Sequence, residues 1–255
     1  MNYEYFEETT IEPTQFTIYS VPEDNSCFFR SVAHSILSQL QTSRTEHNQY
    51  YQTISSLLQP NHNYNHEQNL SELNEDVPVF KEDTESSDEE ESHLAELIEI
   101  NLSKNVQELI RKWIVSHQQI TITELGITWS DLIQSVHDIT IDEYNLYYAF
   151  PAGESIPNHV EDSKVIPERW GGYPEILALS HILEIPIYVY TAVTFNVHSQ
   201  KVNTGKITSR DRAEKNVRFQ LYQFVGSQYE SKNTPIYLLW KKLNKKGHYY
   251  SLEKV

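Results

Sequence analysis

Pro22-Glu23-Asp24-Asn25-Ser26-Cys27-Phe28-Phe29-Arg30-Ser31-Val32 decides how this chain is read. Its first five residues are turn formers: proline presets φ, and Asp, Asn and Ser bond their own backbone. From Cys27 the grammar is helical. Phe28, Val32, Ile36 and Leu40 recur every fourth residue, and Phe29, Ala33 and Leu37 widen the stripe, so an amphipathic helix is expected over Cys27 to about Leu40. Cys27 is the only cysteine of the chain. A lone cysteine is more often a small buried hydrophobe than a nucleophile. Here it opens a helix, where first-turn N–H groups and the helix dipole stabilise a thiolate. The same N–H groups can hold an oxyanion during acyl transfer. Cys27 is therefore a candidate nucleophile on its position alone.

Outward from that turn, residues 1–14 read as a polar arm and Phe16–Val21 as a short strand. Helices are expected around 45–58, 92–117, 129–137 and 141–149. Asn61–His66 reads as a loop; His62 and His66 are four apart but have no cysteine or fixed carboxylate beside them, so no metal site is expected. Glu82–Glu91 carries seven acidic residues and no basic one, the pattern of a solvated, flexible connector. Beyond Pro167 a helix is expected over Glu175–Leu183. Strands are expected at 187–190, 193–199, 217–225 and 235–240, with a turn and terminal strand over 247–252. The fold class is α+β, with helices beside a mostly antiparallel sheet.

Composition narrows the function classes. Of the 255 residues 38 % are hydrophobic and 12 % aromatic, enough for a true core. The net charge of −16 repels phosphate backbones and disfavours nucleic acid as a partner. One cysteine allows no internal disulfide, which fits a reducing cytosol. No stretch approaches the roughly 18 apolar residues of a membrane span. The first residues lack the basic flank and apolar run of a Sec-type leader. No cofactor is implied, and the protein is expected to be a monomer.

A thiolate nucleophile needs a base, and there are 11 histidines. His248 has the most suitable position: it follows Gly247 and opens the terminal strand, a rigid mount.

Three blocks of this sequence resemble the ovarian-tumour (OTU) cysteine proteases. Asp24-Asn25-Ser26-Cys27-Phe28-Phe29-Arg30 is similar to the family's nucleophile signature. Trp170-Gly171-Gly172-Tyr173-Pro174-Glu175-Ile176-Leu177-Ala178-Leu179-Ser180, followed by the strand Ile185–Tyr190, is similar to its second block. Gly247-His248-Tyr249 is similar to its terminal histidine block. The blocks stand in family order and cover roughly 15–40 and 165–255. The resemblance implies a papain-like OTU fold and a deubiquitinase that cleaves the isopeptide bond after the C-terminal glycine of ubiquitin, free or in chains. It implies Cys27 as nucleophile and His248 as base and acid. Asp24 would shape the oxyanion loop with Asn25 and Ser26, Arg30 would be structural, and Trp170, Gly171 and Gly172 would buttress the site. Two positions depart from the pattern. Asn25 replaces the family's glycine, a substitution that a left-handed backbone tolerates. Tyr250 stands where many members place an Asp or Asn that orients the imidazole; a phenol supplies no charge at neutral pH. The third member of the triad is left unassigned, with Ser20 and Asp24 as candidates.

The expected domains are a catalytic core of 15–43 and 161–255 and a helical insertion lobe of 44–160, with the connector at 82–91. About 140 residues separate Cys27 from Trp170. A long helical insertion there resembles the bacterial OTU effectors, notably those of Legionella, in which such a lobe helps to hold ubiquitin. By that resemblance residues 90–150 would bind ubiquitin, with Trp113, Trp129, Tyr144, Tyr147 and Tyr148 as aromatic anchors in an acidic frame. An effector of this kind would act in the host cytoplasm after secretion. The competing readings are a catalytically weak ubiquitin-binding module, which Tyr250 favours, and a cysteine enzyme acting on a ubiquitin-like modifier.

Overall fold

A computed structural model describes residues 10–22, 26–42, 88–151, 171–195, 202–203, 217–230, 233–243 and 246–255. The elements in chain order begin with β1 (Thr10–Ile11), β2 (Phe16–Tyr19) and α1 (Cys27–Thr42). Then come α2 (Asp88–Ser116), the hairpin β3 (Thr121–Ile122) and β4 (Ile127–Thr128), α3 (Trp129–His137) and α4 (Ile141–Tyr147). The last group is α5 (Tyr173–Leu183), β5 (Ile187–Phe195), β6 (Val202–Asn203), β7 (Val217–Val225), β8 (Ile236–Leu243) and β9 (Lys246–Lys254). The helix expected at 45–58, the 61–66 loop and most of the acidic run lie outside the described residues. The end of that run, Asp88–Glu91, is the start of α2. The two strands expected at 187–190 and 193–199 are one continuous strand, β5, through Phe195.

The main sheet runs β1-β7-β5-β8-β9-β2, with β6 added on β5. Its neighbours are antiparallel except β5 and β8. Period-two alternation gives the sheet two faces. On one, Tyr190, Phe219, Leu239 and Leu252 gather round Phe16. The other carries Ile187, Val189, Leu238 and Tyr249 and is covered by α1 through Phe28, Val32 and Ile36. The four-residue spacing seen in the sequence is thus the stripe α1 buries.

The three short helices are set by their ends. Thr128 with Asp131, and Thr140 with Glu143, form capping boxes that start α3 and α4. At α5 the Gly172 N–H donates to Glu175 Oε2 at 2.7 Å. Asp138 and Glu184 take left-handed conformations that end α3 and α5, at φ 57° and 52°.

The segment expected as a separate lobe shares the interior of the catalytic core. Leu102, Val106, Ile110 and Ile114 of α2 belong to the same apolar cluster as Phe28, Ile36 and Ile176. The apolar stripe of α2 finds its complement on α1 and α5, which lie on either side of it in the fold but far off in sequence. A polar tie joins α1 to α2 as well. Arg30 Nε donates to Glu99 Oε1 at 3.1 Å, and both residues are buried. His34 bridges Glu99 Oε2 at 3.4 Å and Glu253 Oε1 at 2.9 Å, and Tyr19 stacks on its ring. Arg30 is structural, as the resemblance implied. Among the described residues no helix is long and apolar enough to cross a membrane.

Burial alone would raise the Glu99 pKa, but the hydrogen bonds and charges of His34 and Arg30 outweigh it and the net shift is downward. A depressed carboxylate pKa contributes stability above its ordinary value of 4.5 and loses it as pH falls through the folded value. Arg30→Ala removes the guanidinium and leaves this buried carboxylate to His34. It should cost roughly 3–5 kcal/mol in urea unfolding at pH 7, and the loss should shrink below about pH 4.5 as Glu99 takes up a proton.

Candidate active site

Cys27 is the first residue of α1 and is buried. The helix closes its first bond from Arg30 N–H to the Ser26 carbonyl, at 2.9 Å. Position Ser26 is thus the hinge between turn and helix, and the N–H groups that follow it are those a first turn leaves without carbonyl partners inside the helix.

A cavity of about 270 Å³ opens at this point. Its described lining is Cys27 and Phe28 from α1, His137 from α3, Gly171 and Gly172 before α5, and Trp240, Gly247 and Tyr249 from β8 and β9. Glycine is required by close approach at two of these places. A Cβ on Gly171 would overlap the Phe28 ring, and one on Gly247 would overlap the Trp240 indole. The Trp240 ring is stacked by Tyr222, which is exposed, at 5.2 Å between centroids. Tyr249 packs edge-on against Phe28 at 5.3 Å. Burial raises the Tyr249 pKa, and charge on Cys27 raises it further, so this phenol stays protonated.

Of the expected site residues, Cys27, Gly171 and Gly172 come together at the cavity. Gly247 and Tyr249, the neighbours of His248 on either side, are in its wall as well. His248 is buried and is not among the described lining residues. Its ring meets Tyr250 edge to face, with centroids 4.5 Å apart. Tyr250 therefore bears on the imidazole by ring packing. Asp24, Asn25 and Trp170 lie outside the described residues.

The aromatic anchors expected on the insertion need correction. Trp129, Tyr144, Tyr147 and Tyr148 are all buried, with Tyr144 fully so, and they belong to the core. Trp113 is half-buried and packs edge-on against Trp129 at 4.9 Å. These rings face inward because α3 and α4 are short and each has one apolar side to bury against α2 and α5.

Sequence reasoning missed His137 and Glu175 as a unit. His137 Nε2 lies 3.0 Å from Glu175 Oε1, and Glu175 is fully buried. Burial opposes charge on His137, but the facing carboxylate outweighs it and the pKa is raised. Burial likewise opposes charge on Glu175, and His137 with the Gly172 N–H outweighs it and lowers the pKa. No local signal links the two, which are 38 residues apart. Trp240 was read only as the end of a strand.

The site is a buried cysteine at a helix N-terminus, in a cavity whose walls come from three helical segments and two strands. A family model described as OTU-like cysteine protease matches residues 22–249. The chain belongs to that family. Among solved structures it is similar to the OTU domain of OTUD1, with 13 % identity, a TM-score of 0.39, and coverage of 94 % of this chain and 87 % of that one. It is similar also to the Hazara virus OTU bound to ubiquitin, with 14 % identity, a TM-score of 0.40, and coverage of 98 % and 88 %. No curated protein matches the sequence.

The His137–Glu175 pair has a defined pH window. A raised histidine pKa contributes stability below the ordinary value of 6.5 and loses it as pH rises through the folded value. A lowered glutamate pKa contributes above 4.5 and loses it as pH falls through its folded value. Both contributions are complete between 4.5 and 6.5. The difference in thermal midpoint between wild type and His137→Gln should be largest in that interval and smaller at pH 8.5, by calorimetry at matched ionic strength.

Proposed function

We propose that this protein is a deubiquitinase that hydrolyses the isopeptide bond after the C-terminal glycine of ubiquitin through a Cys27 thioester. One observation carries the reading: in a chain of the OTU-like cysteine protease family, Cys27 opens α1 in a cavity where three of eight described lining residues are glycines. Walls without side chains suit a slender tail that ends in glycine.

In the proposed reaction the Cys27 thiol passes its proton to the His248 imidazole, and the thiolate attacks the glycine carbonyl carbon. The first-turn N–H groups of α1 receive the oxyanion. Collapse of the tetrahedral adduct breaks the C–N bond, and the imidazolium protonates the leaving lysine amine. Water, deprotonated by the imidazole, then hydrolyses the thioester to the glycine carboxylate and returns the proton to sulfur. Asp24 is the proposed organiser of the oxyanion loop. Tyr250 is proposed to hold the His248 ring by packing, so Tyr250→Phe is compatible with turnover.

Ubiquitin contact is proposed on the exposed side of the 88–151 segment. Leu97 and Ile98 of α2 are exposed there, 43 % and 39 %, next to the acidic Glu96. Ubiquitin's apolar patch is ringed by basic residues, which an acidic apolar surface complements. Leu97→Asp with Ile98→Asp should raise KM about tenfold and leave kcat near wild type; a fall in kcat with KM unchanged contradicts this placement.

Ubiquitin with an electrophilic C-terminal alkyne tests the core reading by intact mass. Wild type should gain one ubiquitin mass, Cys27→Ala none, and His248→Ala should react at least about a hundredfold more slowly. Ubiquitin binding without an adduct would establish the binding-module reading instead. An adduct only with a ubiquitin-like modifier would reassign the substrate.

A further inference from the structure

The nucleophile cavity holds an imidazole that the proposed reaction does not use. His137 lines it together with Cys27, while its partner Glu175 is fully buried and does not appear among the lining residues. The pair is therefore oriented: imidazole toward the cavity, carboxylate behind. Glu175 Oε1 takes His137 Nε2 at 3.0 Å, and Glu175 Oε2 accepts the Gly172 N–H at 2.7 Å. Both carboxylate oxygens are thus engaged.

His137 has a second reason to carry charge. It is the last residue of α3, beside the C-cap Asp138. The C-terminal end of a helix favours a cation. The groups that face it are Glu175 from α5, Tyr144 from α4 and Tyr148 at its C-cap, with ring centroids at 6.0 and 5.8 Å, and Cys27 and Tyr249, which line the same cavity. Tyr249 and Tyr144 both have raised pKa values and stay neutral. Glu175 is the carboxylate of the set, and its net shift is toward the charged form.

We propose that His137, held by Glu175, is a positioning residue that supplies fixed positive charge to the Cys27 cavity and stabilises the thiolate. The inference rests on Cys27 being the nucleophile proposed above. It accounts for a chemical need of the site. Phe28, Trp240 and Tyr249 put three aromatic rings in the cavity wall, and apolar surroundings disfavour a thiolate by desolvation. A cation fixed in the same cavity offsets that cost. Glu175 favours the charged form of His137, so His137 complements the base His248 and does not duplicate it.

The test is the pH dependence of Cys27 alkylation by iodoacetamide, read by intact mass from pH 4 to 10. The single cysteine makes the signal unambiguous. Removing the cation in His137→Gln should move the alkylation midpoint up by about one pH unit and slow alkylation on the acid limb about tenfold. His137→Lys keeps a cation and should restore the midpoint most of the way. A midpoint in His137→Gln that coincides with wild type overturns the inference and leaves the pair as a staple between α3 and α5. A second measurement needs no change at 137. Coupling between two sites is reciprocal, so the His137 imidazole pKa, followed by NMR, should fall in Cys27→Ala relative to wild type by a similar amount. No change there also overturns the inference. Neither readout contains ubiquitin. A shifted midpoint with no ubiquitin adduct would sink the deubiquitinase reading and keep His137; an adduct with an unshifted midpoint would do the reverse.

Discussion

The site depends on how closely the first turn of α1 is pressed into its surroundings. Phe28, one residue past Cys27, is wedged between the Gly171 backbone and the Tyr249 ring. That contact fixes the helix start against the loop before α5 on one side and the terminal strand on the other. Protein interiors are packed at crystal-like density, so a ring held from two sides has little freedom. Cys27 inherits that rigidity. The strand residues either side of His248 share the same wall, which brings the terminal strand to Cys27 across more than 200 residues of chain.

Around this wedge the structure distributes two buried ion pairs with different tasks. Arg30 and Glu99 tie the nucleophile helix to α2, away from the cavity. His137 and Glu175 tie α3 to α5 at the cavity itself. A buried pair is weak evidence for stability, since desolvation offsets most of the attraction. What such pairs give here is placement. Each bonds two helices whose apolar faces alone would tolerate sliding, and the second also puts an imidazole in the wall of the cavity that Cys27 lines.

The helical segment between the nucleophile block and the Trp-Gly-Gly block changes meaning once its packing is known. As sequence it is an interval with its own composition, bounded by an acidic run, and it invites description as an added lobe. In the fold, α2 completes the core that α1 and α5 begin. Its aromatic rings serve that core, which moves any partner surface on it to the residues left outside, among them Leu97 and Ile98.

The sequence by itself determined the local facts. The four-residue stripe of α1 and the β-branched run of β5 are written in neighbouring residues, because helix and strand periods act over a few positions. The three ordered blocks also marked Cys27 and the glycine pair, which meet at the cavity. Tertiary structure alone decided the rest. Whether an aromatic of α3 or α4 faces inward depends on a partner helix that no local period names. The meeting of His137 with Glu175 depends on the relative placement of two helices, and so does the pressing of Gly171 on Phe28. Such contacts are made by packing between segments distant in the chain, and a single sequence carries no mark of which distant residues will touch.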